Sequence, residues 1–178
     1  MASLRKASAY SKKVVRPYTR KSGKKKKAFI KAIPPSKIVK FSMGDRKGFD
    51  SGKHKFSVKF ISKEKVQIRD NSLESCRTLI NKTLDKRIPG QYYFEIKVYP
   101  HHILRENKMA AGAGADRLSS GMSHSFGVTV GRAAIVKSGK EIFSVTTDTH
   151  KAARDARDAL KMIRTKIPCK GSIVFSKL

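Results

Sequence analysis

Residues 91–99, QYYFEIKVY, alternate without interruption: Tyr92, Phe94, Ile96 and Val98 fall on one side, and Tyr93, Glu95, Lys97 and Tyr99 on the other. A period of two belongs to a β-strand with one face against a core, so the chain must supply both a sheet and a layer to cover it. That strand feeds a stretch with no sustained period. In residues 105–127, RENKMAAGAGADRLSSGMSHSFG, Ala and Gly crowd the interval from 110 to 121, and cations stand at Arg105, Lys108 and Arg117. It reads as a long irregular loop, and loops of that length inside a small domain are usually functional or disordered.

The flanking sequence supplies the scaffold. Residues 55–61 alternate again, Phe56, Val58 and Phe60 facing a core and Lys55, Ser57 and Lys59 making a cationic face. Val66 and Ile68 mark another short strand, and residues 37–43, closed by Gly44, the first strand of the globular part; 45–53 is a polar loop. Leu73, Cys76, Ile80 and Leu84 recur at helical spacing over 71–86, and Asn71 and Glu74 have the spacing of a capping box. Residues 128–136 and 141–146 predict a hairpin turned by Ser138-Gly139. A second helix starts at Asp148 or Thr149, buries Ala152, Ala156, Ala159 or Leu160, and Ile163, and turns Arg154, Arg157, Lys161 and Arg164 outward until Pro168 stops it. A last short strand covers 173–175.

Charge points to the partner. The 178 residues carry 41 Lys and Arg against 13 Asp and Glu, a formal +28, and a folded chain so basic normally rests against a polyanion. The first 44 residues hold 14 of those cations and no acid, so 1–36 is expected to be a basic extension and 37–178 a single domain. Tyr10, Tyr18 and Phe29 lie among the cations, where they either stack on bases or anchor the extension to the domain. No 18-residue apolar run, no apolar leader and no Trp argue against a membrane. Cys76 and Cys169 lie far apart with no CxxC, as two reduced thiols do.

Catalytic patterns are weak. Gly112, Gly114 and Asp116 lack both the Gly-Lys-Ser/Thr of a phosphate loop and the third glycine of a dinucleotide fingerprint. His101 and His102 are strand neighbours pointing to opposite faces, better read as surface or RNA-facing imidazoles than as metal ligands. Ser123-His124 is only adjacency, and the scattered acids suit ion pairs with the surplus cations. Neither enzyme, cofactor nor metal is expected. The alternatives to a structural RNA binder are an RNA-directed, nucleotide-dependent modifying or assembly factor and a basic DNA binder.

YPHHILRENKMAAGAGADRLSSGM, residues 99–122, closely resembles the signature of the universal large-subunit ribosomal protein family numbered sixteen in bacteria and ten-e in archaea and eukaryotes, in its archaeal form. RKASAYSK (5–12), YTRK (18–21), IPPSKIVKFSMG (33–44), VQIRDNSLESCR (66–77) and GRAAIV (131–136) are similar to other motifs of that family. Ala7, Ser123-His124 and Val128-Thr129 depart from its usual Pro, Arg-containing and Lys-Pro positions.

The resemblance implies an α+β fold of the α/β-hammerhead type, two helices packed on a mainly antiparallel sheet, with a basic N-terminal extension and a long central loop. It further implies a structural role in the large subunit of cytoplasmic ribosomes, against large-subunit rRNA near the 5S rRNA and among neighbouring ribosomal proteins, with the loop directed at tRNA in the A and P sites. No homo-oligomer is expected. Carried onto this sequence, the RNA contacts fall on Arg5, Lys6, Arg16, Tyr18, Arg20, Lys21, Lys24 and Lys25 in the extension. In and before the loop they fall on His101, His102, Arg105, Asn107, Lys108, Gly112, Gly114, Asp116, Arg117, Gly121 and Met122. Cations would hold phosphates and the small residues would give clearance between RNA strands, while Asn107 and Asp116 would bond bases or brace the loop backbone.

Overall fold

A computed structural model describes residues 8, 10–12, 30, 32–106 and 127–178. The strands are β1 (Ser42–Gly44), β2 (Phe56–Ser62), β3 (Val66–Arg69), β4 (Tyr92–Ile96), β5 (His102–Glu106), β6 (Val128–Val136), β7 (Glu141–Thr147) and β8 (Gly171–Lys177). β5 is an unexpected strand, and it, not the 91–99 strand, leads into the stretch that follows Glu106, taking in Arg105 and Glu106 from the expected loop. The helices are α1 (Arg46–Asp50), α2 (Asp70–Arg87) and α3 (His150–Met162), the last followed by a short 3-10 turn, Ile163–Thr165. The result is α+β, with every strand pair described antiparallel.

The expected single sheet is two sheets, one ordered β1-β4-β7-β2-β8 and the other β3-β6-β5. The expected hairpin of β6 and β7 does not form. β6 pairs with β3 and β5, whereas β7 pairs with β2 and β4. The turn at 137–140 is real, with Gly139 at φ 79°. It acts as a corner: Gly139 N–H donates to Ser62 O at 2.8 Å, Ser62 N–H to Lys140 O at 3.0 Å, and Ser138 Oγ to Lys63 O at 2.8 Å. β2 followed by β3 thus runs beside β6 followed by β7 as one long antiparallel pair that bends from one sheet into the other, with a bulge at Phe60/Ile61 just before the corner.

One core serves both sheets. Leu73, Cys76, Ile80 and Leu84 of α2 are fully buried and join Val58, Phe60, Phe94, Phe143, Ala156 and Leu160 in a single cluster. Burial pushes the Cys76 thiol up to about 12, which keeps it protonated and unreactive. Tyr92 Oη reaches Asn81 Oδ1 at 3.0 Å and the Asp85 carboxylate, tying β4 to α2, and burial together with that carboxylate raises the phenol's pKa.

Four local expectations change. α2 begins at Asp70 without a side-chain cap, and no capping box forms, because Glu74 is engaged elsewhere. Its carboxylate binds Arg77 at 2.6 and 2.8 Å and accepts from Val39 N–H at 3.3 Å, while Asp70 accepts from Lys37 N–H at 3.1 Å. Residues 37–39 are therefore held by the acidic start of α2, and only Ser42–Gly44 joins the sheet.

The polar loop at 45–53 contains α1. Asp45 caps it through Gly48 N–H at 2.9 Å, and Phe49 stacks on Tyr93 at 4.7 Å between ring centroids. Accordingly β2 does not present an open cationic face. Ser57 is buried, as are Ser144 and Thr146 beside it, and Lys59 is paired with Glu141 at 2.8 Å.

α3 follows the sequence closely: Thr149 Oγ1 accepts from Ala152 N–H at 3.2 Å, Ala152, Ala156, Ala159, Leu160 and Ile163 are buried, and Arg154, Arg157, Lys161 and Arg164 are exposed.

Candidate nucleic-acid interface

The stretch expected to be an irregular loop is flanked by β5 and β6. β5 and β6 pair as Leu104↔Gly131, Arg105↔Thr129 and Glu106↔Val128, with a register shift between Leu104 and Arg105. Such a shift strengthens local twist and re-aims the strand end, here at the point where the chain leaves for the loop. On the other side of the root, Val128 and Val130 are exposed, so β6 enters with solvent-facing apolar residues.

The N-terminal segment meets the same root. Gln67 of β3 donates from its backbone N–H to Ser11 O at 3.0 Å and from its side-chain amide to Tyr10 O. Tyr10 Oη donates to Glu106 Oε2 at 3.1 Å, and Tyr10 itself adopts φ 67°, in the left-handed region that a tyrosine rarely occupies. Segment 10–12 therefore spans from the β3 edge of the smaller sheet to the last residue of β5. Gln67, Ala133, His102 and Leu104 alternate away from the core-facing Val66, Ile68, Ala134 and Val136, and all are buried. Between the two readings of Tyr10, its contacts support the anchor. Gln67 was not among the expected site residues; it shares the alternate positions of β3 with Arg69, so its residue type gave no signal.

The two histidines divide. His101 is exposed and packs on Tyr99 at 4.5 Å between centroids, whereas His102 is 6% exposed, so the surface-facing reading holds for His101 only. Burial, and secondarily the Arg105 guanidinium, lowers the His102 pKa and favours its neutral form. Arg105 is half-buried at the loop root. Arg5, Lys6, Arg16, Tyr18, Arg20, Lys21, Lys24 and Lys25 lie outside the described residues, as do Phe29 and Asn107, Lys108, Gly112, Gly114, Asp116, Arg117, Gly121 and Met122.

Several of the acids are ion-pair partners: Asp148 lies 3.4 Å from Lys53, Arg87 binds Asp155 at 3.2 Å, and Lys161 binds Asp158 at 3.1 Å, whereas Asp45, Asp70 and Glu106 accept from backbone or hydroxyl donors. Across α3 the exposed cations still outnumber those acids, leaving a basic helix face.

Residues 17–174 match the family described as ribosomal protein L16p/L10e. Among proteins named large ribosomal subunit protein uL16, that of Methanococcus maripaludis strain C7 is 43% identical over 176 residues, covering 98% of this chain and 95% of that protein. The Staphylothermus marinus protein is 40% identical over the same shares of both chains, and that of Archaeoglobus fulgidus 38% identical over 97% of this chain and 94% of its own. With the loop signature, the ribbon that carries it and the basic helix all inside the matched span, the chain belongs to the L16p/L10e family of ribosomal proteins.

Proposed function

We propose that this chain is a structural, non-catalytic constituent of the large ribosomal subunit in the cytoplasm, docking on large-subunit rRNA near the 5S rRNA among neighbouring ribosomal proteins. Its 105–127 loop would reach toward tRNA in the A and P sites. Residues 1–36 serve as a basic rRNA-binding extension and 37–178 as the aiming domain, in an α/β-hammerhead type of arrangement. The observation that carries this reading is the shared root: Tyr10 of the extension bonds Glu106, the last described residue before the loop, so the two segments are tied together on the smaller sheet. Two cationic segments starting from one point can grip one RNA fold from two directions, with phosphate contacts fixing position. The exposed Arg154, Arg157, Lys161 and Arg164 of α3 and its 3-10 extension add a third contact face.

The test is retention on purified large subunits through a moderate-salt wash, with a salt titration of the free protein on large-subunit rRNA. Stoichiometric retention is expected, and log affinity should fall with log salt by about 0.7 to 0.9 per phosphate neutralised. Sub-stoichiometric recovery or a flat salt response would refute the proposal.

A further inference from the structure

A run of aromatic rings lies where the chain crosses from the larger sheet to the smaller one. Phe41 precedes β1, and Tyr99 and His101 sit in the link between β4 and β5. Phe41 stacks on Tyr99 with centroids 5.2 Å apart and planes 22° from parallel, and His101 packs on Tyr99 at 4.5 Å. Tyr99 is the middle ring. It is 42% exposed, and His101 is exposed as well. Arg132 of β6 borders the run, donating from Nη1 to Tyr99 Oη at 3.4 Å and from Nε to Pro34 O at 2.7 Å. Pro34 and Tyr99 thereby fix the plane of the guanidinium, and the donors left over suit phosphate oxygens.

Single exposed rings need no explanation, but three in contact beside an oriented arginine, on a chain of charge +28, make a surface with a definite chemical preference. An acidic or apolar protein surface would use the charge or the rings. An RNA strand uses both, since every base has a π-face and every nucleotide a phosphate. We propose that the Phe41–Tyr99–His101 run is a stacking platform for an unpaired RNA base, with Arg132 holding the adjacent phosphate. The platform stands at the start of β5 and the loop root at its end, about 17 Å away at roughly 3.3 Å per residue, so it is a grip separate from the loop. This inference rests on the RNA-binding reading above.

The test uses the full-length protein and two fluorescent RNA probes, an oligoadenylate octamer and an octamer of the same backbone with abasic riboses. The wild type is expected to bind the adenylate more tightly. His101→Ala should reduce adenylate affinity by about 5- to 100-fold and leave abasic binding and the salt slope unchanged, and Tyr99→Ala, which also removes one of the two groups that orient Arg132, should lose more on the adenylate than on the abasic probe. Arg132→Ala should weaken both probes and reduce the slope by about 0.7. Tyr99→Phe, which keeps the ring, should keep base discrimination. His101 is exposed, so its substitution separates a binding effect from a folding effect, and melting curves check the others. Adenylate binding unaltered in both ring variants, or lost equally on the abasic probe, overturns the platform while the RNA-binding reading stands. A wild type that binds neither octamer nor rRNA overturns both.

Discussion

Gly44 ends β1 at φ +92°, and a Cβ built there would approach the Tyr92 carbonyl oxygen inside the 3.0 Å that real Cβ atoms keep. Gly44→Ala therefore meets two penalties. Left-handed backbone costs an L-residue with a side chain about 1 to 2 kcal/mol. The same Tyr92 carbonyl accepts from Asp45 N–H at 2.8 Å, so relieving the clash forfeits a hydrogen bond worth about 1 kcal/mol. Tyr92 has little freedom to retreat, because its hydroxyl is held by Asn81 and Asp85 on α2. The sum is about 2 to 3 kcal/mol, or a fall in Tm of about 4 to 12 °C for a chain this long.

Gly52→Ala is the control, since Gly52 has φ +74° but nothing within 4 Å of its would-be Cβ, and only the backbone penalty applies. Calorimetric melting of both variants beside the wild type measures the steric part as their difference, about 1 kcal/mol or more. Equal melting of Gly44→Ala and Gly52→Ala would refute the close-approach reasoning.

Two further outcomes follow from the loop root. Tyr10→Phe removes the bond to Glu106 while keeping the ring. Proteolysis of the folded protein should then cut the N-terminal segment faster, with global Tm shifted by no more than about 2 to 4 °C, and unchanged cutting would mean that Tyr10 is no anchor. His102 has its pKa lowered from 6.5 in the fold, so the unfolded chain takes up the proton first. Its contribution to stability is complete above about pH 6.5 and is lost as pH falls from there through the folded value. Urea midpoints at pH 7.5 and 5.5 should show the wild type losing more stability than His102→Gln; equal losses would show that His102 is not buried in its neutral form.

Periodicity alone determined much of this protein. The alternation of 91–99, the stripe from Leu73 to Leu84 and the Thr149 cap each state a local preference that burial then rewards; the two helices stand where their patterns lie, and the strand holds over Tyr92–Ile96. Charge and the loop motif likewise pointed to the family from residue order alone, and the match over residues 17–174 shows it. What only tertiary structure decided were the partnerships. Ser138-Gly139 announces a turn, but whether a turn closes a hairpin or rounds a corner depends on which strands lie beside it, and here those are β2 and β3, some 70 residues earlier in the chain. Asn71 and Glu74 have capping spacing, but Arg77 and the passing backbone of Val39 claim the carboxylate first. Tyr10 could serve RNA or scaffold until Gln67 and Glu106 were placed against it. Local pattern specifies an element because its interactions are a few residues apart; the choice among distant partners belongs to the folded chain, where burial and unpaired backbone groups across both sheets are satisfied together.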